Sequence, residues 1–337
     1  MHSTHRRLCL SSPWCICYII PHLYDALIAY EIDHSISARA IVLHDSEDVV
    51  HPLELHVFDR LIDRAGIIQL PVLPLVDPDS QWISGHYCDE FAEAHTKELV
   101  VREAVGAAIP LAGVGCAIAR EPLARLAAAH EGRPFAGASM TEDYEMGLRI
   151  GALGVKTIFV RIPATPGDRA VVSSRGHFPA SLDAAVRQKA RWLGGIALAG
   201  WDRLGWSGGW GERWMRLRDR RGPFAALLLI AGYGAGLLWS QLWLAEALGA
   251  PMQARMDPRL VVLLNINGAM LAWRIVMRVG FTTSVYGWRQ GLLSIPRIVV
   301  GNLIAVLATL RAISLHLSGR ARRWDKTRHI FPTEIAG

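Results

Sequence analysis

Cysteine is scarce, with five residues among 337, and the number is odd. Cys9, Cys15, Cys17, Cys88 and Cys116 match no zinc or disulfide spacing, so they read as reduced thiols of a cytosolic domain. The chain has no P-loop, so it lacks that signature of a nucleotide triphosphatase. Its histidines show no metal-ligand spacing and read as structural. There is no internal repeat and no low-complexity tract. Nowhere does a basic face interleave with aromatics in the way that contact with nucleic acid requires, so no such partner is expected. The segment from Met1 to Tyr24 is interrupted by Pro13 and Pro21. It is too short and broken to span a bilayer, and no small-x-small cleavage site is clear.

Apolar residues, by contrast, make up 51% of the chain, and the mean hydropathy is +0.23. Most of the excess lies after residue 223. Residues 224–248 carry no formal charge until Glu246 and are long enough to span. Gly232 and Gly236 stand at a spacing suited to close helix packing. A second span covers 260–280, with Asn265, Asn267 and Arg274 expected to face protein or water. A third apolar segment, about 292–317, holds Pro296, Arg297, Asn302 and Arg311. The net charge of +6 gathers from Arg213 to Arg221 and from Arg320 to Arg328, on either side of these runs. Basic flanks stay cytoplasmic, and both can do so only with an even number of crossings. Two spans and an interfacial third helix are therefore expected, then a basic cytoplasmic tail at 319–337.

Ahead of the membrane region, a helix is expected over 22–30 and a buried strand over 38–43. Further helices are expected near 51–63, 83–105 and 121–130, then one opening at Ser139 and one running from Ser181 to about Gly200. Strands are expected at 67–70 and 156–160. Strands alternating with helices argue an α/β domain with a mostly parallel sheet.

Three stretches carry chemistry. The first strand ends in His44-Asp45-Ser46-Glu47-Asp48, where open α/β sheets place ligands. Asp45 and Glu47, with Asp48 as substitute, are placed to reach a divalent cation on a diphosphate; a solvated loop or a helix N-cap fits them equally. Asp143, in Thr141-Glu142-Asp143, is a candidate general base at a helix start. Ser139 and Glu142 also fit a capping box. Gln188, Arg191 and Trp192 share one helix face and offer an amide, a guanidinium and a ring, or else form an interfacial stripe.

The order of these stretches before a hydrophobic third resembles the processive, membrane-bound glycosyltransferases of family 2, the cellulose and hyaluronan synthase-like enzymes. Several segments are similar to the bacteriophage N4 adsorption protein B-like group of bacterial inner-membrane glycosyltransferases. These are His44 to Leu55, Asp89-Glu90-Phe91-Ala92-Glu93, Val186 to Trp192, and Tyr286 to Ser294. The resemblance implies a GT-A-like, Rossmann-like catalytic domain over 25–212 and a membrane region over 213–318. It implies Mg²⁺ or Mn²⁺ on Asp45 and Glu47, and Asp143 as catalytic base. Glu142, Gln188, Arg191 and Trp192 would bind substrate. A nucleotide-sugar donor, UDP-linked, a glycan acceptor, the bilayer and an outer-membrane export partner are the implied partners. The implied role is inverting transfer to an exopolysaccharide at the bacterial inner membrane, with the catalytic domain in the cytoplasm. Relative to that group the chain reads as truncated at both ends, with 1–24 an atypical segment and the first nucleotide-binding strand missing.

Overall fold

The computed structural model describes residues 16–130, 132, 134, 139–249 and 257–318. The start of the atypical N-terminal segment and the basic tail lie outside them. The chain opens with α1 (Ile16–His34) and β1 (Ala40–Leu43), then α2 (Glu54–Leu61), β2 (Ile67–Gln69) and α3 (Ile83–Glu93). A π-helical turn at Ala94–Glu98 joins α3 to α4 (Leu99–Ala104). The expected amphipathic helix over 83–105 is thus one rod with a widened turn. Then come β3 (Cys116–Ala119), α5 (Arg120–Ala128), α6 (Glu142–Ala152), β4 (Thr157–Phe159) and α7 (Leu182–Leu193). Ser181 caps α7, its side chain accepting from the Ala184 N–H. A second π-helical stretch, Gly194–Ala199, leads through α8 (Gly200–Leu204) to α9 (Trp210–Arg220).

The α/β architecture is as expected, but the parallel majority is not. The strand order is β1-β3-β2-β4, and β3 runs antiparallel to both β1 and β2; only β2 and β4 pair in parallel. The reason is the route of the chain. Leu43 and Gln69, the last residues of β1 and β2, both pair with Cys116, the first of β3. The chain therefore enters the sheet at the end where β1 and β2 leave it, and the loop before β3 lies at that end. Strand alternation then divides the core. Ile67, Cys116 and Ile118 pack with Leu123, Leu126, Met146, Ile150 and Tyr24. Ile68, Leu70 and Ala117 pack with Val57, Phe58, Ile62 and Val172. Cys88 and Cys116 are free and buried, as read for the thiols.

Three helices complete the described chain: α10 (Gly222–Ala247), α11 (Pro258–Tyr286) and α12 (Trp288–Leu317). All three are long and apolar enough to cross a membrane. They differ in cover. α10 and the first half of α11 are almost wholly exposed, the second half of α11 buries Thr282 and holds Arg278 on Glu93, and α12 buries Gly291, Ser294, Arg297, Ile304, Ala308 and Ala312 at helical spacing. The expected packing stripe of Gly232 and Gly236 meets no neighbour among the described residues. On α11, Asn267 donates to the Leu263 carbonyl of its own helix, and Asn265 and Arg274 are exposed.

Candidate active site

Every residue singled out for chemistry lines one cleft of about 1370 Å³: Asp45, Glu47, Asp48, Glu142, Asp143, Gln188, Arg191 and Trp192. Two walls face each other across it.

The sheet-side wall begins where β1 ends. His44 sits between two carboxylates, 2.5 Å from Glu54, which is fully buried, and 3.5 Å from Asp48. The Asp48 and Glu54 carboxylates beside it push its pKa up to about 9, so the imidazole is positive at neutral pH. Asp48 also accepts the Asp45 N–H at 3.0 Å. Its carboxylate is thus engaged inside the turn, while Glu47 takes a hydrogen bond from Ser46 at the exposed tip. Of the two alternatives for the second carboxylate, Glu47 is the one presented outward.

Asp143 lies in the first turn of α6. Burial is the main cause that lifts its carboxyl to about 7; the Glu142 and Asp45 charges add to the rise, while the Tyr144 N–H and Arg191 oppose it. The next residue is held firmly. The Tyr144 hydroxyl donates to Asp219 at 2.6 Å, and Arg102 grips the same carboxylate with both of its oxygens in reach. Gly113, in the loop before β3, has φ +80°, and a Cβ there would stand 2.8 Å from Asp143 Oδ2. Glycine serves twice here, for the left-handed backbone and for the space beside the carboxylate. The expected capping box is not formed. Thr141 takes the N-cap position without a side-chain bond. The Ser139 hydroxyl instead donates to Glu145, a buried carboxylate that also takes Arg203 and Arg149.

The helix-side wall is α7. Burial lowers the Arg191 pKa, and the charges of Asp143, Glu142 and Asp45 counter that effect. Burial likewise raises Glu142. Trp192 meets Tyr87 edge-on at 6.2 Å and Phe91 at 6.4 Å. Gln188 Oε1, Glu142 Oε2 and Thr141 Oγ1 are buried without a hydrogen-bond partner. Polar atoms in that state at a cleft wall are suited to a ligand that supplies the missing partner.

The donor chemistry fits a hard divalent cation. Asp45 and Glu47 supply carboxylate oxygens, and Mg²⁺ takes one or two carboxylates together with substrate phosphates. No group of three or more His, Cys, Asp or Glu that could hold a metal ion is found among the described residues.

Sequence reasoning missed His44 as the anchor of the acidic turn, and its position directly between strand and turn was the available signal. It also missed that Gly113 makes room for Asp143.

A family model for glycosyl transferase family group 2 matches residues 40–277. Two curated relatives from Escherichia coli, Bacteriophage adsorption protein B of strain K12 and Bacteriophage N4 adsorption protein B of O157:H7, are each 35% identical over 343 residues. The matches cover 93% of this chain and 45% of each relative. The chain thus spans less than half the length of the curated relatives it matches.

Proposed function

The chain belongs to glycosyl transferase family group 2, and from that premise we propose that it moves a sugar, with inversion, from a UDP-linked donor to a growing exopolysaccharide at the bacterial inner membrane. The observation that carries this reading is the convergence of Asp45, Glu47, Asp143, Gln188, Arg191 and Trp192 on one cleft from three separate stretches of sequence.

In this reading Asp45 and Glu47 hold Mg²⁺ or Mn²⁺ against the donor diphosphate. The ion, when bound, neutralises charge on the departing nucleotide. Arg191 adds a second positive group on the opposite wall. Gln188 and Glu142 orient the sugar and acceptor hydroxyls, and Trp192 gives the acceptor ring a flat surface. Asp143 takes the proton from the acceptor hydroxyl. The acceptor oxygen bonds to the anomeric carbon as the bond from that carbon to the phosphate oxygen breaks, and UDP leaves with the electron pair. One displacement inverts the configuration. A carboxyl near 7 is matched to this task, because a base that titrates near the working pH is ionised yet still basic. Asp143→Asn should lower transfer about a thousandfold and leave UDP affinity within about threefold. Full turnover in that variant would refute the assignment.

We also propose that α10 and α11 are the spans, with α12 interfacial and the catalytic domain cytoplasmic. The buried face of α12, which carries Arg297, supports this topology. A tag after Gly337 found in the periplasm would overturn it. A second functional reading follows from the names of the relatives, which speak of phage adsorption: a membrane scaffold or export component, partnered in the outer membrane, that does no transfer. Retained phage uptake in an Asp45→Ala, Asp143→Asn double variant would favour it.

A further inference from the structure

The acids of the segment Asp89 to Glu93 have no part in the chemistry above, yet each is paired with a cation. Asp89, Glu90 and Glu93 lie within about one turn of α3, where like charges repel. Each is matched by a cation from a different element. Asp89, with no exposed surface, meets Arg297 of α12 at 3.2 Å, and Arg297 is itself 1% exposed. Glu93 meets Arg278 of α11 at 3.1 Å. Glu90 meets Lys189 of α7 at 2.5 Å. Lys189 lies between Gln188 and Arg191, so α7 turns its lysine to α3 while those two line the cleft.

The junction is built closely. A Cβ on Gly85 would stand 2.6 Å from the Arg297 guanidinium, so the glycine leaves the space that the buried arginine fills. Arg297 also donates to the Gln81 carbonyl at 2.7 Å and to Gln290 at 2.6 Å. Thr282 of α11 donates to Asp89 at 3.4 Å. Behind the cleft, Ala190 of α7 packs on Ala308 and Ala312 of α12, where small side chains let the helices approach.

We propose that Glu90 is a positioning residue: through Lys189 it fixes α7, and with Asp89 and Glu93 it ties the placement of Gln188, Arg191 and Trp192 to α11 and α12. The membrane helices thereby set one wall of the cleft, and a shift of α12 against α3 reaches the substrate without passing through the sheet. The consequence for transfer rests on the proposed function, whereas the mechanical link does not.

The test uses the whole chain in lipid nanodiscs, comparing the parent with Glu90→Gln and with the charge-exchanged Glu90→Lys, Lys189→Glu pair. Amide hydrogen exchange in 182–193 should quicken about tenfold in Glu90→Gln, stay at the parent rate in β1 to β3, and return to within about threefold of the parent in the exchanged pair. The turnover number should fall about tenfold with the donor KM within about threefold, which separates positioning from lost binding. Unchanged exchange in 182–193 would overturn the proposal, as would an exchanged pair that melts like the parent yet fails to restore it. A parent chain without transfer, combined with the expected exchange pattern, would sink the transferase reading and leave the positioning role standing.

Discussion

The two walls of the cleft are held by different means. The Asp45, Glu47 and Asp143 wall is held by His44 between Asp48 and Glu54 and by Tyr144 on Asp219 of α9. The Gln188, Arg191 and Trp192 wall belongs to a helix whose back rests on α12 and whose lysine is held by α3. The contrast teaches a division of labour. The wall assigned to the ion and the proton depends on hydrogen bonds within the acidic turn and on a tie to α9, and the wall assigned to recognition depends on packing against α12 and a lysine held by α3. An acidic wall and a cationic one also stabilise each other across the gap, as the opposing effects of Arg191 and Asp143 express.

After Asp143→Asn, breaking the helix-side wall should have the largest effect. Arg191→Ala removes a guanidinium from the cleft, and turnover should drop about a hundredfold, as for loss of an electrostatic stabiliser of the leaving group; steady-state kinetics check this. On the sheet side, Gly113→Ala forces a side chain into a left-handed backbone and towards Asp143 Oδ2. It should cost about 1–2 kcal/mol of stability, read by denaturant unfolding, and lower turnover by roughly tenfold.

The pH dependence sharpens the contrast further. Asp143 has its pKa raised, so its stabilising effect is complete below the ordinary carboxylate value and is lost as pH rises through about 7. Asp143→Asn has no such loss. Relative to the parent, the variant should gain about 2 kcal/mol between about pH 5 and pH 8, after discount for water reaching the carboxyl from the cleft. Thermal melting at both pH values measures it. The smallest effect is expected within the acidic turn. Asp48→Asn should destabilise the fold by about 1 kcal/mol and lower the His44 pKa, because it loses an ionic partner. Glu47→Gln, at the tip, should leave stability alone and weaken donor binding.

Much of this was legible from residue pattern. The apolar runs 38–43 and 67–70 became strands, and Ser181 opened α7 with a working cap. Strand direction was not legible, since a four-residue apolar strand reads the same either way and only the route from α4 to Cys116 decides it. The Ser139 cap failed because the helix starts at Glu142 with Thr141 at the N-cap position, which leaves Ser139 outside it, donating to Glu145. The pairing of the α3 acids was not legible, since their partners Lys189, Arg278 and Arg297 come roughly one to two hundred residues later, beyond any window of local periodicity. Asp45, Glu47, Asp143, Gln188, Arg191 and Trp192 were each equivocal alone, and their common cleft is what joins them.

The central claim is that the acidic turn after β1 holds a nucleotide diphosphate through a divalent ion. Isothermal titration of the detergent-purified chain with UDP and Mn²⁺, repeated on Asp45→Ala, tests it most directly. Saturable, metal-dependent binding that disappears in the folded variant is the predicted result. Absence of binding by the well-folded parent, or equal binding by Asp45→Ala, would contradict it.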